Sequence, residues 1–305
     1  MRALASAGFN NVVSRTHAEL ELSDQVAVRS FFDCEKPQYV FLAAGKVGGI
    51  FANHTHPAEF IYQNLSVQTN VIHECWRTGV KRLLFLGSSC IYPRECPQPI
   101  KEEYLFTGPL EPTNRPYAIA KIAGVEMCGS YNRQYGTRYV AAMPTNLYGP
   151  GDNYDLENSH VLAALLRKFH DAARSGARRV VVWGTGTPRR EFLHSDDMAD
   201  AALFLMMLPD ERLATLTAAD RLPLANLGTG KDISIRELAE MIGRISGFRG
   251  EIEFDRSKPD GTPRKLLDVS LMSGLGWRAK TELEPGIRMV FEDFVRDSNA
   301  ADLKL

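Results

Sequence analysis

The chain has 305 residues and a formal net charge of −1, with 36 lysines and arginines against 37 aspartates and glutamates. This balance gives no support to a nucleic-acid or membrane-surface role, and the sequence shows neither a bilayer-spanning apolar run nor a signal-peptide pattern. Its five cysteines are scattered without a Cys-x-x-Cys pair, so we expect free thiols and a cytoplasmic location.

Predicted helices and strands alternate along the chain. A helix ends at Gly8, Val12–Ser14 forms a short buried strand, and Asp24–Phe32 is helical. The next elements are a strand buried on both faces at Tyr39–Ala44, a helix from about Pro57 to Thr78, a strand at Arg82–Gly87, a helix from Pro116 to about Gly136, and strands at Tyr139–Met143 and Arg179–Trp183. This order predicts an α/β protein with a doubly wound parallel sheet.

The start of the chain departs from the usual order of a dinucleotide-binding sheet. Such a sheet opens with a strand, a glycine-rich turn and a helix, whereas this sequence begins where that helix would end. Two interpretations stay open, namely a truncated or misplaced start and a chain that has lost cofactor binding. For the chain as written we expect weak dinucleotide binding and low stability, because the backbone N–H groups that hold the pyrophosphate are not in the predicted elements.

A tyrosine and a lysine stand four residues apart at the start of the Pro116 helix. Pro116 favours a helix start, and the spacing places Tyr117 and Lys121 on one face of that helix. A nearby ammonium favours a phenolate, so we expect Lys121 to lower the pKa of Tyr117 toward the range of a general acid. Such pairs also arise by chance on helix surfaces, but this one lies downstream of Gly87-Ser88-Ser89, which favours chemistry.

Longer stretches of sequence are more specific than this pair. They are Ala44–Ile50, Leu86–Pro93, Leu110–Asn114 followed by Tyr117–Lys121, Pro144–Pro150, Asn158–His160, Arg190–His194 and Asp260–Lys265. On these stretches, from about Val13 to the C-terminus, the chain resembles the GDP-L-fucose synthase family of extended short-chain dehydrogenases. The resemblance implies a Rossmann-type dinucleotide-binding domain at 1–148 and 189–229, and a smaller substrate domain at 149–188 and 230–305.

The resemblance implies an enzyme with two activities. It would epimerise GDP-4-keto-6-deoxy-D-mannose at C3 and C5 and then reduce C4 with NADPH to give GDP-L-fucose. Ser88, Tyr117 and Lys121 would form the reduction triad, and Cys90 and His160 the acid/base pair of the epimerisation. A thiol and an imidazole both titrate near enough to neutrality for proton transfer.

Each of these residues has a simpler interpretation when it is taken alone. Ser88 could be a turn serine, Cys90 a small buried hydrophobe, and His160 a residue at a helix N-terminus capped by Ser159. The matching sequence around each one favours catalysis.

The resemblance also assigns binding residues. Arg15 follows the predicted second strand, where arginine suits the 2′-phosphate of NADPH. The cofactor set implied is Arg15, Leu86, Gly87, Ser88, Ser89, Lys121, Pro144, Thr145, Asn146, Leu147 and His160. The GDP-sugar set implied is Lys168, Trp183, Arg190, Asp260 and Lys265. Lys168 stands where the family often has arginine, and lysine neutralises phosphate without the bidentate fork.

A homodimer through the Pro57–Thr78 and Pro116–Gly136 helices is also implied. Two other functions stay open, a non-catalytic sugar-nucleotide-binding protein and an epimerase that has lost reduction. The retained candidate catalytic residues argue against the first, since a binding protein would not need them.

A pair of histidines and a pair of aspartates could suggest further sites, but simpler explanations account for both. His54 and His56 have no third ligand in the sequence pattern, so we expect a loop surface and no metal. Asp196 and Asp197 precede a helix at Met198–Leu208, and capping together with the helix dipole accounts for them.

Overall fold

A computed structural model describes residues 1–156, 159–258 and 260–302. The helices in this part of the chain are α1 (Arg2–Ser6), α2 (Gln25–Glu35), α3 (Ile50–Thr55), α4 (Pro57–Arg77), α5 (Arg115–Tyr135), α6 (Val161–Ser175), α7 (Ser195–Met207), α8 (Asp210–Leu216), α9 (Ile235–Ser246), α10 (Ser270–Gly274) and α11 (Leu283–Asp302). The strands are β1 (Tyr39–Leu42), β2 (Arg82–Leu86), β3 (Tyr139–Pro144), β4 (Asn146–Tyr148), β5 (Arg179–Trp183), β6 (Arg189–His194), β7 (Leu224–Leu227), β8 (Asp232–Ser234), β9 (Glu251–Asp255) and β10 (Arg264–Lys265).

The central sheet has four parallel strands in the order β1-β2-β3-β7. Their carboxyl ends lie at one edge of the sheet, as parallel pairing requires, and ligands of doubly wound folds bind at that edge. The predicted α/β class with a parallel sheet is confirmed, and β2, β3 and β5 fall where the sequence placed them.

One predicted strand is absent, and the burial predicted for another was wrong. Residues 12–14 form no strand, and Val13 and Ser14 are exposed. The run from Tyr39 was expected to be buried on both faces, yet Tyr39 is 44% exposed and only Leu42 of β1 is buried. The reason is the position of β1, which pairs with β2 alone in the described structure and therefore forms an edge.

Two smaller sheets adjoin the central one. Strand β6 pairs in parallel with β4 and β10 and antiparallel with β8, while β5 pairs in parallel with β9. Strand β3 runs into β4 through the single residue Thr145, so the central sheet and the β6 sheet meet at the carboxyl end of β3.

Helices cover both faces of the central sheet with apolar side chains. One core joins the sheet to α2, α4 and α5 and includes Phe32, Ile72 and Val125. The opposite face packs on α7 and α8 through residues such as Leu205 and Leu213. A third core lies among α6, α9, β5 and α11, with the capping box of Ser234 and Glu237 beginning α9. Burial of these apolar faces is the main term that holds the layers together.

Helix ends are mostly where the sequence predicts. Helix α5 has Pro116 in its first turn and ends at Gly136 with φ 65°, the left-handed conformation that favours glycine. Helix α7 begins at Ser195, earlier than expected, because the His194 side chain accepts from the Asp196 backbone N–H and takes the capping role. Asp197 lies in the first turn and instead accepts the backbone N–H groups of Lys280 and Thr281.

No helix among the described residues has the length and apolar character needed to cross a membrane. The same part of the chain gathers no group of three or more side chains that could hold a metal ion. His54 lies in the last turn of the short helix α3, and the Nδ1 atom of His56 contacts the Thr55 hydroxyl.

Candidate active site

The loop after β2 carries two of the predicted catalytic residues. Ser88 is the N-cap of a 3₁₀ turn at Ser89–Ile91, and its Oγ accepts the Cys90 backbone N–H at 3.3 Å. This turn fixes the Ser88 hydroxyl and the Cys90 thiol in one short segment at the carboxyl end of a central strand. Gly87 stands just before it and leaves room for the Met143 side chain, which a Cβ atom at this position would overlap.

Tyr117 and Lys121 lie one turn apart on α5, as predicted. The Lys121 Nζ atom donates to the Leu86 carbonyl at 2.8 Å and lies 5.9 Å from the centroid of the Tyr117 ring. The Ser88 side chain lies beside the Tyr117 phenol and acts to lower its pKa. Ser88, Tyr117 and Lys121 are thus brought together around the end of β2.

The pKa expected for Tyr117 was wrong in direction. Burial raises the pKa of the phenol, the neighbouring Cys90 raises it further, and the Ser88 side chain opposes both. The Lys121 ammonium does not counter this, because it is bound to a backbone carbonyl and is itself buried. Burial lowers the pKa of Lys121 to about 8.

Cys90 faces a lysine from the other sheet. The Lys265 Nζ atom, at the end of β10, lies 3.4 Å from the Cys90 sulfur. Burial alone would raise the pKa of this thiol, but Lys265, the Ser88 hydroxyl and Arg190 outweigh it, and the net direction is down. A buried cysteine that is only a small hydrophobe would have its pKa raised, as burial does for Cys128.

Arg190 and Asp260 continue this cluster. The Arg190 Nη1 atom donates to the backbone oxygens of Arg189 at 2.8 Å and Thr262 at 2.6 Å. Burial lowers the pKa of Arg190, while Cys90 and Asp260 act in the opposite direction. Asp260 accepts from the Thr185 backbone N–H and hydroxyl. The structure therefore groups Cys90, Lys265, Arg190 and Asp260.

Trp183 is the last residue of β5, two residues before Thr185, which binds Asp260; we call this exposed end of β5 the rim. Its side chain is 60% exposed, and the Nζ atoms of Lys168 and Lys258 lie 5.3 Å and 5.4 Å from its ring centroid. Burial lowers the pKa of Lys168. An exposed aromatic ring can stack on a planar base, and two ammonium groups beside it can attract a diphosphate. Lys258 was not among the predicted binding residues, because in the sequence it is a single cation in a polar loop and no motif distinguishes it.

Two of the predicted residues after β3 make hydrogen bonds to the protein backbone. Thr145 is buried and its hydroxyl donates to the Glu191 backbone oxygen at 3.2 Å. The Asn146 side-chain amide donates to the same oxygen at 2.8 Å. With Pro144 ending β3 and Leu147 in β4, these residues line the junction of the two sheets.

Two predicted residues are not joined to the cluster by any contact among the described residues. Arg15 is bound to Glu35 and lies over the Phe31 ring, 5.5 Å from its centroid. His160 is the N-cap residue of α6, with no cap from Ser159, and it lies near Asp152, whose pKa is raised by burial. Asn158 lies outside the described residues.

One residue of this region escaped the sequence analysis. Glu191 follows Arg190 in β6, is fully buried, and accepts three backbone N–H groups from two distant loops. The sequence carries little signal for it, because Glu191 directly follows two arginines, a context typical of exposed positions, whereas a fully buried glutamate is rare.

Comparison with known proteins identifies the family. The family model described as the NAD dependent epimerase/dehydratase family matches residues 2–215. The chain is 54% identical over 297 residues to GDP-L-fucose synthase 1 of Arabidopsis thaliana, spanning 97% of this chain and 89% of that protein. The chain belongs to this epimerase/dehydratase family, among the GDP-L-fucose synthases.

Further relatives agree with this family membership. The GDP-L-fucose synthase of Escherichia coli is 53% identical over 298 residues, spanning 98% of this chain and 92% of that protein. A solved structure of a GDP-mannoheptose C4 reductase from Campylobacter jejuni with NADP bound has a TM-score of 0.88 at 43% identity, spanning 96% of this chain and 93% of that chain. The resemblance read from the sequence motifs is confirmed.

Proposed function

We propose that this protein converts GDP-4-keto-6-deoxy-D-mannose to GDP-L-fucose by 3,5-epimerisation followed by NADPH-dependent reduction at C4. The observation that carries the proposal is the Cys90 thiol held 3.4 Å from the Lys265 ammonium, in the same turn as Ser88 and close enough to Tyr117 to raise its pKa. The loop after β2 and the start of α5 thus bring a proton-transfer group, Cys90, and a proton donor, Tyr117, to the same space.

Cys90 and His160 are the proposed acid/base pair. Protons at C3 and C5 lie next to the 4-keto group, so a base can remove each one through an enolate. The lowered pKa of Cys90 increases the fraction of thiolate, and Lys265 and Arg190 supply the positive charge that stabilises it. His160 would act from the opposite face of the ring, at the exposed start of α6.

Ser88, Tyr117 and Lys121 are the proposed groups for the reduction. The cofactor, when bound, supplies hydride to C4. Burial keeps the proton on the Tyr117 phenol in the free protein, so the phenol is ready to give it to the C4 oxygen. The Ser88 hydroxyl can bind that same oxygen.

The residues around Lys121 suit a nicotinamide dinucleotide. Lys121 is buried, and in the described structure its ammonium pairs with no carboxylate. A buried cation bound only to a carbonyl can take ribose hydroxyl groups without breaking an ion pair. The proposed cofactor-binding residues are Arg15, Leu86, Gly87, Ser88, Ser89, Lys121, Pro144, Thr145, Asn146, Leu147 and His160.

The GDP-sugar would lie on the other side of Cys90. Arg190 and Lys265 provide charge for the diphosphate, and Trp183 provides a stacking surface beside Lys168 and Lys258. Asp260 borders this side of the site, and its carboxylate accepts the Thr185 backbone N–H.

We also infer two domains, a homodimer and a cytoplasmic location. The separate core among α6, α9 and α11 supports a substrate domain at 149–188 and 230–305, with 1–148 and 189–229 as the dinucleotide-binding domain.

Tyr62 on α4 is 68% exposed and Ile119 on α5 is 43% exposed, which suits a dimer interface. The free cysteines suit a reducing compartment. Sedimentation velocity tests the dimer: Tyr62→Glu should shift the wild-type dimer to a monomer.

A deuterium experiment tests the whole proposal. The protein is incubated with GDP-4-keto-6-deoxy-D-mannose in D₂O, and NADPH is added afterwards. We expect deuterium at C3 and C5 before the addition, and oxidation of NADPH with formation of GDP-L-fucose after it. NADPH oxidation without exchange would leave a reductase alone. Exchange without oxidation would favour the epimerase-only alternative. The absence of both exchange and oxidation would favour a binding protein. No comparison supports either alternative.

A further inference from the structure

Glu191 occupies the point where three strand ends meet. Its Oε1 atom accepts the backbone N–H groups of Thr229 at 2.6 Å and Gly230 at 2.7 Å, beyond the end of β7. Its Oε2 atom accepts the Leu267 backbone N–H at 2.9 Å, beyond the end of β10. Its backbone oxygen accepts from Thr145 and Asn146, beyond the end of β3.

The environment of this carboxylate is unusual for a purely structural group. Glu191 is 0% exposed, and none of the ion pairs among the described residues includes its carboxylate, while the largest influences on its pKa are burial and neutral hydrogen-bond donors. Burial raises its pKa, and the N–H donors of Leu267, Gly230 and Thr229 only partly oppose this. An apolar side chain in this position would leave the N–H groups of Thr229, Gly230 and Leu267 without their acceptor. The surroundings are also shaped for the carboxylate, because a Cβ atom at Gly228 would overlap it.

The bond to Leu267 extends a very short strand. Strand β10 pairs with β6 only at Arg264 and Lys265, opposite Arg189 and Arg190. Backbone N–H groups two residues apart in a strand point the same way. The Glu191 carboxylate therefore continues the ladder at Leu267, two residues beyond Lys265, from the strand that also carries Arg190.

We propose that Glu191 is a positioning residue for proton transfer at Cys90: its carboxylate fixes the chain beyond β10 and thereby holds the Lys265 ammonium against the Cys90 sulfur. The inference rests on the proposed function, in which Cys90 is the acid/base group. The groups that face the thiol are Lys265 of β10, Arg190 of β6, Tyr117 of α5 and Ser88 of its own loop. Of these, Lys265 and Arg190 stand on the two strands that Glu191 joins.

The test is the pH profile of Cys90 alkylation by iodoacetamide in the free protein. The tryptic peptide 83–94 contains Cys90 and none of the other cysteines, so mass spectrometry reports this thiol alone. Glu191→Gln keeps one acceptor for Thr229 and Gly230 but turns an amide N–H toward the Leu267 N–H. We expect the profile to move to higher pH and the rate at pH 7 to fall roughly three- to tenfold, as a pKa rise of half to one unit requires. Lys265→Met should move it further in the same direction.

Two variants control for a general structural effect. Glu237→Gln alters the capping-box glutamate of α9 and should leave the profile unchanged. Adding Glu191→Gln to Lys265→Met should cause no further shift, because a residue that acts through Lys265 has nothing left to position. An additive shift would overturn the proposal.

Gly228→Ala gives a second route should Glu191→Gln not fold. It retains the carboxylate and displaces it, and it should shift the alkylation profile in the same direction. An unchanged profile in a folded variant, or loss of the folded state in both, would give Glu191 a structural role only and overturn the proposal. Deuterium exchange that persists in Cys90→Ala would instead overturn the role proposed for Cys90 in the reaction, while the alkylation profile of Cys90 could still be compared between wild type and Glu191→Gln.

Discussion

The ammonium of Lys121 donates to the backbone carbonyl of Leu86 across 2.8 Å and is bound there in place of the Tyr117 phenol. The bond ties α5 to the carboxyl end of β2. It also means that the free protein holds a buried cation against a neutral oxygen, a state that burial makes easy to deprotonate.

Lys121→Met should change how stability depends on pH. Burial lowers the pKa of Lys121 from 10.5 to about 8, so between these values the unfolded chain binds more protons than the folded chain. The free energy of unfolding should therefore rise with pH in this window, by at most about 1.4 kcal/mol per pH unit. Urea denaturation from pH 7.5 upward should show the methionine variant lacking this rise, and Lys101→Met, at a half-exposed surface lysine, should retain it. Equal slopes in Lys121→Met and wild type would contradict the lowered pKa.

Tyr117→Phe should separate the two half-reactions. The variant loses the phenolic proton, and NADPH oxidation should fall by about 10²–10⁴, the usual contribution of a general acid. Solvent deuterium should still enter C3 and C5, because Cys90 and Lys265 remain in contact. Absorbance at 340 nm and NMR of the sugar report the two steps. Undiminished reduction would show that another group is the acid.

Cys90→Ala should stop deuterium exchange and leave NADPH affinity nearly intact. The thiol lies beside Lys265 and Arg190, on the proposed substrate side, and makes no contact with Lys121 in the described residues. Cys34→Ala, at an exposed cysteine, is the matched control and should exchange like wild type. Calorimetric titration with NADPH and NMR exchange rates give the comparison. If Cys90→Ala exchanges at the wild-type rate, the thiol returns to the role of a small core residue.

Gly87→Ala should destabilise the loop before Ser88. The added methyl would overlap the Met143 side chain, and overpacking of this kind costs typically about 1–3 kcal/mol. Gly274→Ala is the control, since a Cβ atom there meets nothing within 4 Å and the residue ends a helix. Chemical denaturation of the two variants tests this. A Gly87→Ala protein as stable as Gly274→Ala would mean that Met143 moves aside without cost.

Local patterns in the sequence predicted the elements that carry the site. The apolar run of β2, the Pro116 start and the Gly136 end of α5 are determined by neighbouring residues, and all three are confirmed. Val12–Ser14 failed because strand formation depends on a partner, and its apolar pattern says nothing about which strand lies alongside.

The electrostatics of the site were less predictable. Spacing of four residues correctly put Tyr117 and Lys121 on one face, but the direction of an ammonium depends on carbonyls elsewhere in the chain, here that of Leu86. Glu191 was missed for a related reason. Its partners lie 38, 39 and 76 residues away, so no local window contains them.

The exposure of Trp183 gives the protein a fluorescence reporter of its own. Trp277 is buried with its indole N–H bound to Asp200, and Trp76 stacks on Tyr135 with ring centroids 4.4 Å apart. A water-soluble quencher such as iodide will therefore reach the Trp183 ring most easily, and the lysines at its sides will concentrate the anion there. Occupancy of the rim by a nucleotide base can be followed as protection from quenching, without any label or turnover.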